Sequence, residues 1–181
     1  MKPHTRQALT WIIRLLRKHK IPFQITGGLA ANVYGSRRPL ADIDIELRNE
    51  DILRIENDVN NYTTYEPGRY DDDHFSLLRM TLKYKGQEVD LCGAEGQRLY
   101  DKNTKQWKAQ PVNLPNASRK KVFRLIIPVA PLQELITYKK RIGRRVDKKD
   151  VEALTKKTKL HERKAMCTYT HKKTLTKNHN H

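Results

Sequence analysis

The sequence predicts an α+β fold, a sheet with helices packed against it, and three stretches carry that expectation. Residues Asp42 to Leu47 alternate acid and aliphatic with a period of two. Leu78 to Leu91 reads as a hairpin about Lys85-Gly86, and Thr5 to Lys20 repeats its apolar residues at helical spacing.

Each element follows from local chemistry. Ala8, Ile12, Leu15 and Leu16 share one side of the first segment while Arg6, Arg14, Arg17 and Lys18 supply a polar face, so a helix is expected from about Thr5 to Lys20. Pro22 stops it. Ile21, Phe23 and Ile25 alternate as a half-buried strand that enters Gly27-Gly28, a sharp turn. Leu29 to Tyr34, rich in small residues, suits a short helix ended by Gly35. The basic loop Ser36-Arg37-Arg38-Pro39 leads into Asp42-Ile43-Asp44-Ile45-Glu46-Leu47, a strand with acids on one face and aliphatics on the other. Asn49 is expected to cap a helix with Glu50 and Asp51 in its first turn and Ile52, Ile55 and Val59 as its buried stripe, ending near Asn60-Asn61. Acidic, glycine-containing Glu66 to Asp73 reads as a loop.

Leu78, Met80, Leu82 and Tyr84 alternate as a strand, and its partner beyond Lys85-Gly86 carries Val89 and Leu91 inward, which turns Asp90 to the opposite face. From Gly93 to about Ser118 the pattern weakens to turns around one or two short strands. Val122 to Val129 is apolar but broken by Arg124 and Pro128. Pro131 opens a helix on Leu132, Leu135, Ile136 and Lys139 that Gly143 closes. A last helix is expected from Asp147, with Asp150 placed as in a capping box and Val151 and Leu154 as apolar contacts.

A chain of 181 residues with 37% hydrophobic content buries one ordinary core, so residues 1–155 are expected to form a single domain. From Lys156 onward eight basic side chains face one acid, Glu162, and few large apolar residues are present, so 156–181 is expected to be a loose basic tail. The net charge of +17 draws anionic partners: nucleic acid, nucleotides or acidic membranes. The run Trp11 to Leu16 is interrupted by Arg14 and followed by Arg17, Lys18 and Lys20, so it fails as a membrane span and no membrane partner is expected. Cys92 and Cys167 have no paired spacing with another Cys or His, which suits a reducing, cytoplasmic setting. The seven histidines are scattered, and none forms a metal-ligating pair on a helix.

The chemistry concentrates in the acids. Asp42 and Asp44 stand about 6.7 Å apart on one strand face, where an effective dielectric of about 20 gives a repulsion on the order of 2.5 kcal/mol. A solvated strand face would tolerate that, but Asp90 on a neighbouring strand adds a third carboxylate. A divalent cation relieves such a cluster, and few hard oxygen ligands suit Mg²⁺, which takes its remaining ligands from water and substrate phosphates. Gly27-Gly28, after a strand and before a helix, lets backbone N–H groups approach a phosphate closely.

Taken in order, Gly27-Gly28, Gly35-Ser36-Arg37, Asp42-Ile43-Asp44 and Val89-Asp90 resemble the polymerase-β-like nucleotidyltransferase superfamily. The run from Gly27 to Arg38 is most similar to its small bacterial branch of aminoglycoside and lincosamide nucleotidyltransferases and toxin-like relatives. Leu135 to Leu154, with Tyr138-Lys139 and Arg145 to Asp150, is similar to that branch's closing helices. The resemblance spans roughly residues 21 to 154, with nothing recognisable between 93 and 120. It implies a nucleotidyltransferase fold with a mixed, mostly antiparallel sheet, and transfer of a nucleoside monophosphate from an NTP such as ATP with release of pyrophosphate. Carried over by position, Asp42 and Asp44 would hold the Mg²⁺ or Mn²⁺ that meets the triphosphate, and Asp90 would help hold a second. Gly27, Gly28 and Ser36 would meet the phosphates, with Arg37 or Arg38 and Lys139 neutralising the departing pyrophosphate. Asp90 or Glu88 could serve as general base, and Asp147 and Asp150 read equally as family acids or as caps.

Three functions compete on this basis. Nucleotidylation of RNA, for instance a tRNA end, would follow the toxin-like relatives, suits the basic surface and brings a cognate antitoxin as a partner. Nucleotidylation of a small hydroxyl compound would follow the antibiotic-modifying relatives. A non-catalytic nucleic-acid-binding protein would keep the fold alone, and the intact carboxylate set argues against it.

Overall fold

The computed structural model describes residues 2–158, so most of the expected basic tail lies outside the described residues. Helix α1 spans Pro3–Lys18, opened by proline in its first turn and closed by Arg17 and Lys18, which favour the negative end of the helix dipole. Thr5, Ala8, Leu9, Ile12, Ile13 and Leu16 form its buried stripe. Strand β1 (Phe23–Ile25) is buried at all three positions rather than alternately, because it lies inside the sheet, antiparallel to β2 (Asp42–Leu47) and parallel to β9 (Leu125–Val129). Helix α2 (Gly27–Tyr34) begins on the first glycine, two residues earlier than expected.

The expected capped helix after β2 divides into α3 (Asn49–Arg54) and α4 (Glu56–Val59), broken at Ile55. Asn49 does not cap it. Arg48 occupies the cap position without a side-chain cap bond, and the Asn49 N–H donates to Glu95 Oε2 at 2.7 Å.

Of the expected loop Glu66 to Asp73, residues 66–71 belong instead to β3 (Thr63–Asp71), antiparallel to β4 (Phe75–Tyr84) with two register shifts between Thr63 and Gly68. Pro67 sits within the second shift, at a sheet edge, where a missing N–H and a bulge are tolerated. Strand β4 turns at Lys85-Gly86, both with positive φ, into β5 (Gln87–Gly93). The weakly patterned region supplies a short hairpin, β6 (Arg98–Asp101) with β7 (Gln106–Ala109), and β8 (Ser118–Val122) pairs with β9 about Phe123-Arg124. Helix α5 (Leu132–Ile142) follows Pro131 and ends on Gly143 in the left-handed conformation. Helix α6 covers 145–158. It starts before Asp147, so that residue does not cap it, and it crosses the expected boundary at 155.

The nine strands form one mixed, mostly antiparallel sheet ordered β7-β6-β4-β5-β2-β1-β9-β8, with β3 on the other edge of β4. Ile43, Ile45, Leu47, Val89, Leu91, Met80 and Leu82 share a core with the apolar faces of α1 and α2. Strand alternation therefore puts Asp42, Asp44 and Glu46 on the opposite face, where the parallel pairing of β2 with β5 sets Asp44 beside Asp90.

Candidate active site

That polar face forms the floor of a cavity of about 350 Å³, walled by Thr26, Gly27, Gly28 and Arg38 and by Tyr70, Phe75, Arg79, Tyr138 and Arg144. Asp42, Asp44 and Asp90 each offer a carboxylate oxygen, and these oxygens lie within 4.8 Å of one another. No ion pair among the described residues engages any of the three, so the donor set fits a hard divalent cation.

Two backbone features hold Asp44 in place. The Thr26 N–H donates to its carbonyl at 3.0 Å, and the Gly28 N–H donates to its Oδ2 at 3.3 Å. Gly27 has φ +59°, and a Cβ there would meet Asp44 Oδ2 at 1.7 Å, so this corner admits glycine alone. At Gly28 a Cβ would lie 2.5 Å from the Arg38 guanidinium, which brings a cation onto the N-terminus of α2.

Burial, with Asp42 and Asp90 nearby, pushes the Asp44 pKa up to about 7, against the Gly28 N–H and Lys139. Burial likewise raises Asp90, opposed by the Thr81 hydroxyl, which donates to its Oδ1 at 2.7 Å, and by Arg79. Glu46, deeper on the same strand face, is raised to about 7 by burial although Gln24 Nε2 donates to it at 2.6 Å. Asp42 and Asp44 thus stand at the front of an acidic column whose charge no lysine or arginine among the described residues pairs directly.

Behind the cavity wall the opposite arrangement occurs. Lys139, 1% exposed, sits between Asp150 Oδ2 at 2.9 Å and Asp147 Oδ1 at 3.3 Å. Ser36 Oγ donates to Asp150 at 2.7 Å, Arg38 Nε reaches the same carboxylate at 2.9 Å, and Arg144 Nε reaches Asp147 at 2.7 Å. Burial works to raise Asp150, yet the hydrogen bonds from Ser36 and Lys139 hold it below its ordinary value. Asp147 and Asp150 therefore act as braces, each fixing an arginine that lines the cavity.

Of the phosphate-binding residues expected from sequence, Gly27, Gly28 and Arg38 line the cavity with the three aspartates. Ser36 and Lys139 are turned to the buried acids instead, and Arg37 is exposed in a neighbouring cleft with Lys2 and Arg38. Glu88 is exposed and outside the cavity. The residues that sequence reasoning missed are Arg79, Tyr70, Tyr138 and Arg144. Arg79 stacks 3.5 Å from the Tyr70 ring centroid, and its buried Nε has no hydrogen-bond partner among the described residues. Its position on the face of Thr81 and Asp90 was readable once the β4–β5 register was known.

Neither a protein-family model nor a curated protein sequence matches this chain. Solved structures do. A candidate nucleotidyltransferase of Thermotoga maritima aligns at 23% identity over 90% of this chain and 96% of its own, with a TM-score of 0.67. The lincosamide antibiotic adenylyltransferase LnuA, lincomycin-bound, aligns at 15% identity over 82% and 95%, with a TM-score of 0.57. The structure of ANT(2")-Ia in complex with adenylyl-2"-tobramycin aligns at 16% identity over 89% and 92%, with a TM-score of 0.56. The chain thus has the α+β fold of the nucleotidyltransferases, as the ordered motifs implied. No helix among the described residues is long and apolar enough to cross a membrane.

Proposed function

We propose that this protein is a metal-dependent nucleotidyltransferase that moves a nucleoside monophosphate from an NTP to an acceptor hydroxyl. The observation that carries the reading is the convergence of Asp42, Asp44 and Asp90 within 4.8 Å at the mouth of a glycine-opened helix. Asp42, Asp44 and Asp90 would hold Mg²⁺ or Mn²⁺, which when bound polarises the triphosphate and neutralises charge on the attacking and leaving oxygens.

The chain's own residues do the rest. The Arg38 guanidinium, held by Asp150 beside Gly28, binds phosphate oxygens at the α2 N-terminus. The acceptor oxygen forms a bond to the α-phosphorus, the bond from that phosphorus to the bridging oxygen breaks, and pyrophosphate leaves. Asp90, oriented by Thr81, takes the hydroxyl proton. Arg79 and Arg144 add positive charge at the wall, and Tyr70, Phe75 and Tyr138 give the nucleoside or acceptor flat apolar surfaces.

RNA is the acceptor that the net charge of +17 favours, since a polyanion is steered to such a surface. Under that reading an adjacent small reading frame encoding an antitoxin is expected. The likeness to LnuA and ANT(2")-Ia favours a second reading, a small hydroxyl compound. Incubation with each labelled NTP, Mg²⁺ and either total tRNA or a panel of hydroxylated metabolites separates them. Label in RNA supports the first, label in a metabolite the second, and no transfer to any acceptor contradicts both.

A further inference from the structure

The first 41 residues contain eight Lys and Arg and no Asp or Glu. Helix α1 buries one stripe and presents the other to an open cleft of about 880 Å³. Arg6, Arg14 and Lys18 recur along that face with helical spacing, and the far wall is Tyr84 and Lys85 at the β4–β5 turn with Phe123 from the β8–β9 turn.

Aromatic rings interleave the charges. Trp11 stacks on Tyr84 with centroids 4.5 Å apart and planes 7° from parallel, Arg6 lies 5.2 Å over the exposed Phe123 ring, and Lys85 lies 5.9 Å over Tyr84. Lys18 reaches Asp58 at 3.8 Å, but among the described residues Lys2, Arg6, Arg14 and Lys85 have no carboxylate partner.

The cleft also leads somewhere. Lys2, at the start of α1, lines a second basic cleft of about 690 Å³ with Arg37 and Arg38, and Arg38 in turn lines the carboxylate cavity. Lys2 and then Arg38 thus link the α1 cleft, through the second cleft, to the cavity that holds the three aspartates. The outermost part, the 16 residues of α1, is about 24 Å long.

We infer that the α1 cleft is an RNA-binding track that holds the acceptor strand and delivers its end past Lys2, Arg37 and Arg38 to Asp42, Asp44 and Asp90. It rests on the RNA reading of the proposed function. Guanidinium and ammonium groups without carboxylate partners, spaced along a cleft, meet successive phosphates, and the exposed Phe123 ring offers a base a surface on which to stack irrespective of sequence. Residues 159–181 carry six Lys and Arg against one Glu, the same sign of charge as the cleft, so charge complementarity favours a polyanion over the chain's own tail.

The test compares wild type with an Arg6→Glu/Arg14→Glu/Lys85→Glu variant, all three exposed and outside the proposed catalytic machinery. The probe is a fluorescein-labelled single-stranded RNA of about 12 nucleotides, read by anisotropy across a salt series. The variant is expected to bind at least about tenfold more weakly at 0.1 M salt, with the log–log salt slope shallower by about 2, while its melting temperature and Mg²⁺-NTP thermal shift stay unchanged. Phe123→Ala is expected to lose roughly fivefold without changing that slope. Equal RNA affinity in wild type and triple variant overturns the proposal, as does equal competition by polyglutamate, which would make the cleft a protein-docking surface. RNA binding lost in the triple variant with no transfer to RNA by wild type would sink the acceptor reading but leave the cleft; transfer to RNA undiminished in the triple variant would sink the cleft alone.

Discussion

Two clusters of acids share the neighbourhood of Arg38, one half-buried and one fully buried, and among the described residues only the buried one carries its own cations. Asp147 and Asp150 hold Lys139, Arg38 and Arg144 at 2.7 to 3.3 Å, and Asp150 is held below its ordinary pKa. Asp42, Asp44 and Asp90 have no ion pair among the described residues, and Asp44 rises to about 7. The same residue type thus titrates in opposite directions within one molecule. Charge is left uncompensated in one cluster alone, and under the proposed function that is where a divalent ion and a phosphate substrate would bind.

The largest expected effect breaks the uncompensated cluster. Asp42→Ala or Asp44→Ala should lower nucleotidyl transfer by about 10³-fold or more while circular dichroism shows an intact fold; an active Asp44→Ala protein would contradict the metal assignment. Breaking the compensated cluster should do the reverse. Lys139→Met leaves two buried carboxylates without their ammonium and should cost about 3–5 kcal/mol of stability, seen in thermal or denaturant unfolding. If Lys139→Met instead unfolds like wild type but loses transfer, the lysine acts on substrate and the comparison fails.

Titration sharpens the contrast. Asp44 and Glu46 have folded pKa values raised to about 7 from ordinary values near 4, so the folded protein binds protons that the unfolded chain has released. Metal-free stability is therefore expected to fall as pH rises from about 4 to about 7, and Mg²⁺ should raise the melting temperature more at pH 8 than at pH 5. Asp150, with a lowered value, contributes stability that is lost only on acidification below about 4. A melting temperature that does not change between pH 5 and pH 8 without metal would count against the uncompensated charge. The smallest effect belongs to Ser36→Ala, which removes one of several hydrogen bonds to Asp150 and should cost about 1 kcal/mol. A raised KM for NTP with unchanged stability would restore Ser36 to phosphate binding.

Much of this was legible in the residues. The period-two run set the ends of β2 to the residue, and the Lys85-Gly86 turn fixed the parity that faces Asp90 toward Asp44. Strand β3 was not, because Pro67, Gly68 and its charged residues carry no alternation and its pairing depends on the long partner β4. Lys139 and Tyr138 show the limit most sharply. One residue turns about 100° around a helix: the sequence reading put Lys139 at the phosphates, whereas packing turns Lys139 to the buried acids and its neighbour Tyr138 to the cavity. The bracing of Ser36 and Arg38 by Asp150 links residues more than 100 positions apart and leaves no local signal, whereas Asp147 holds Arg144 only three positions away.

The most direct test is titration calorimetry of Mn²⁺ into wild type and Asp44→Asn, each with a nonhydrolysable NTP analogue present. The expected result is saturable binding to wild type and loss of that heat in Asp44→Asn, whose metal-free melting temperature stays equal or rises. Identical Mn²⁺ binding by both proteins would show that the three aspartates do not hold the ion.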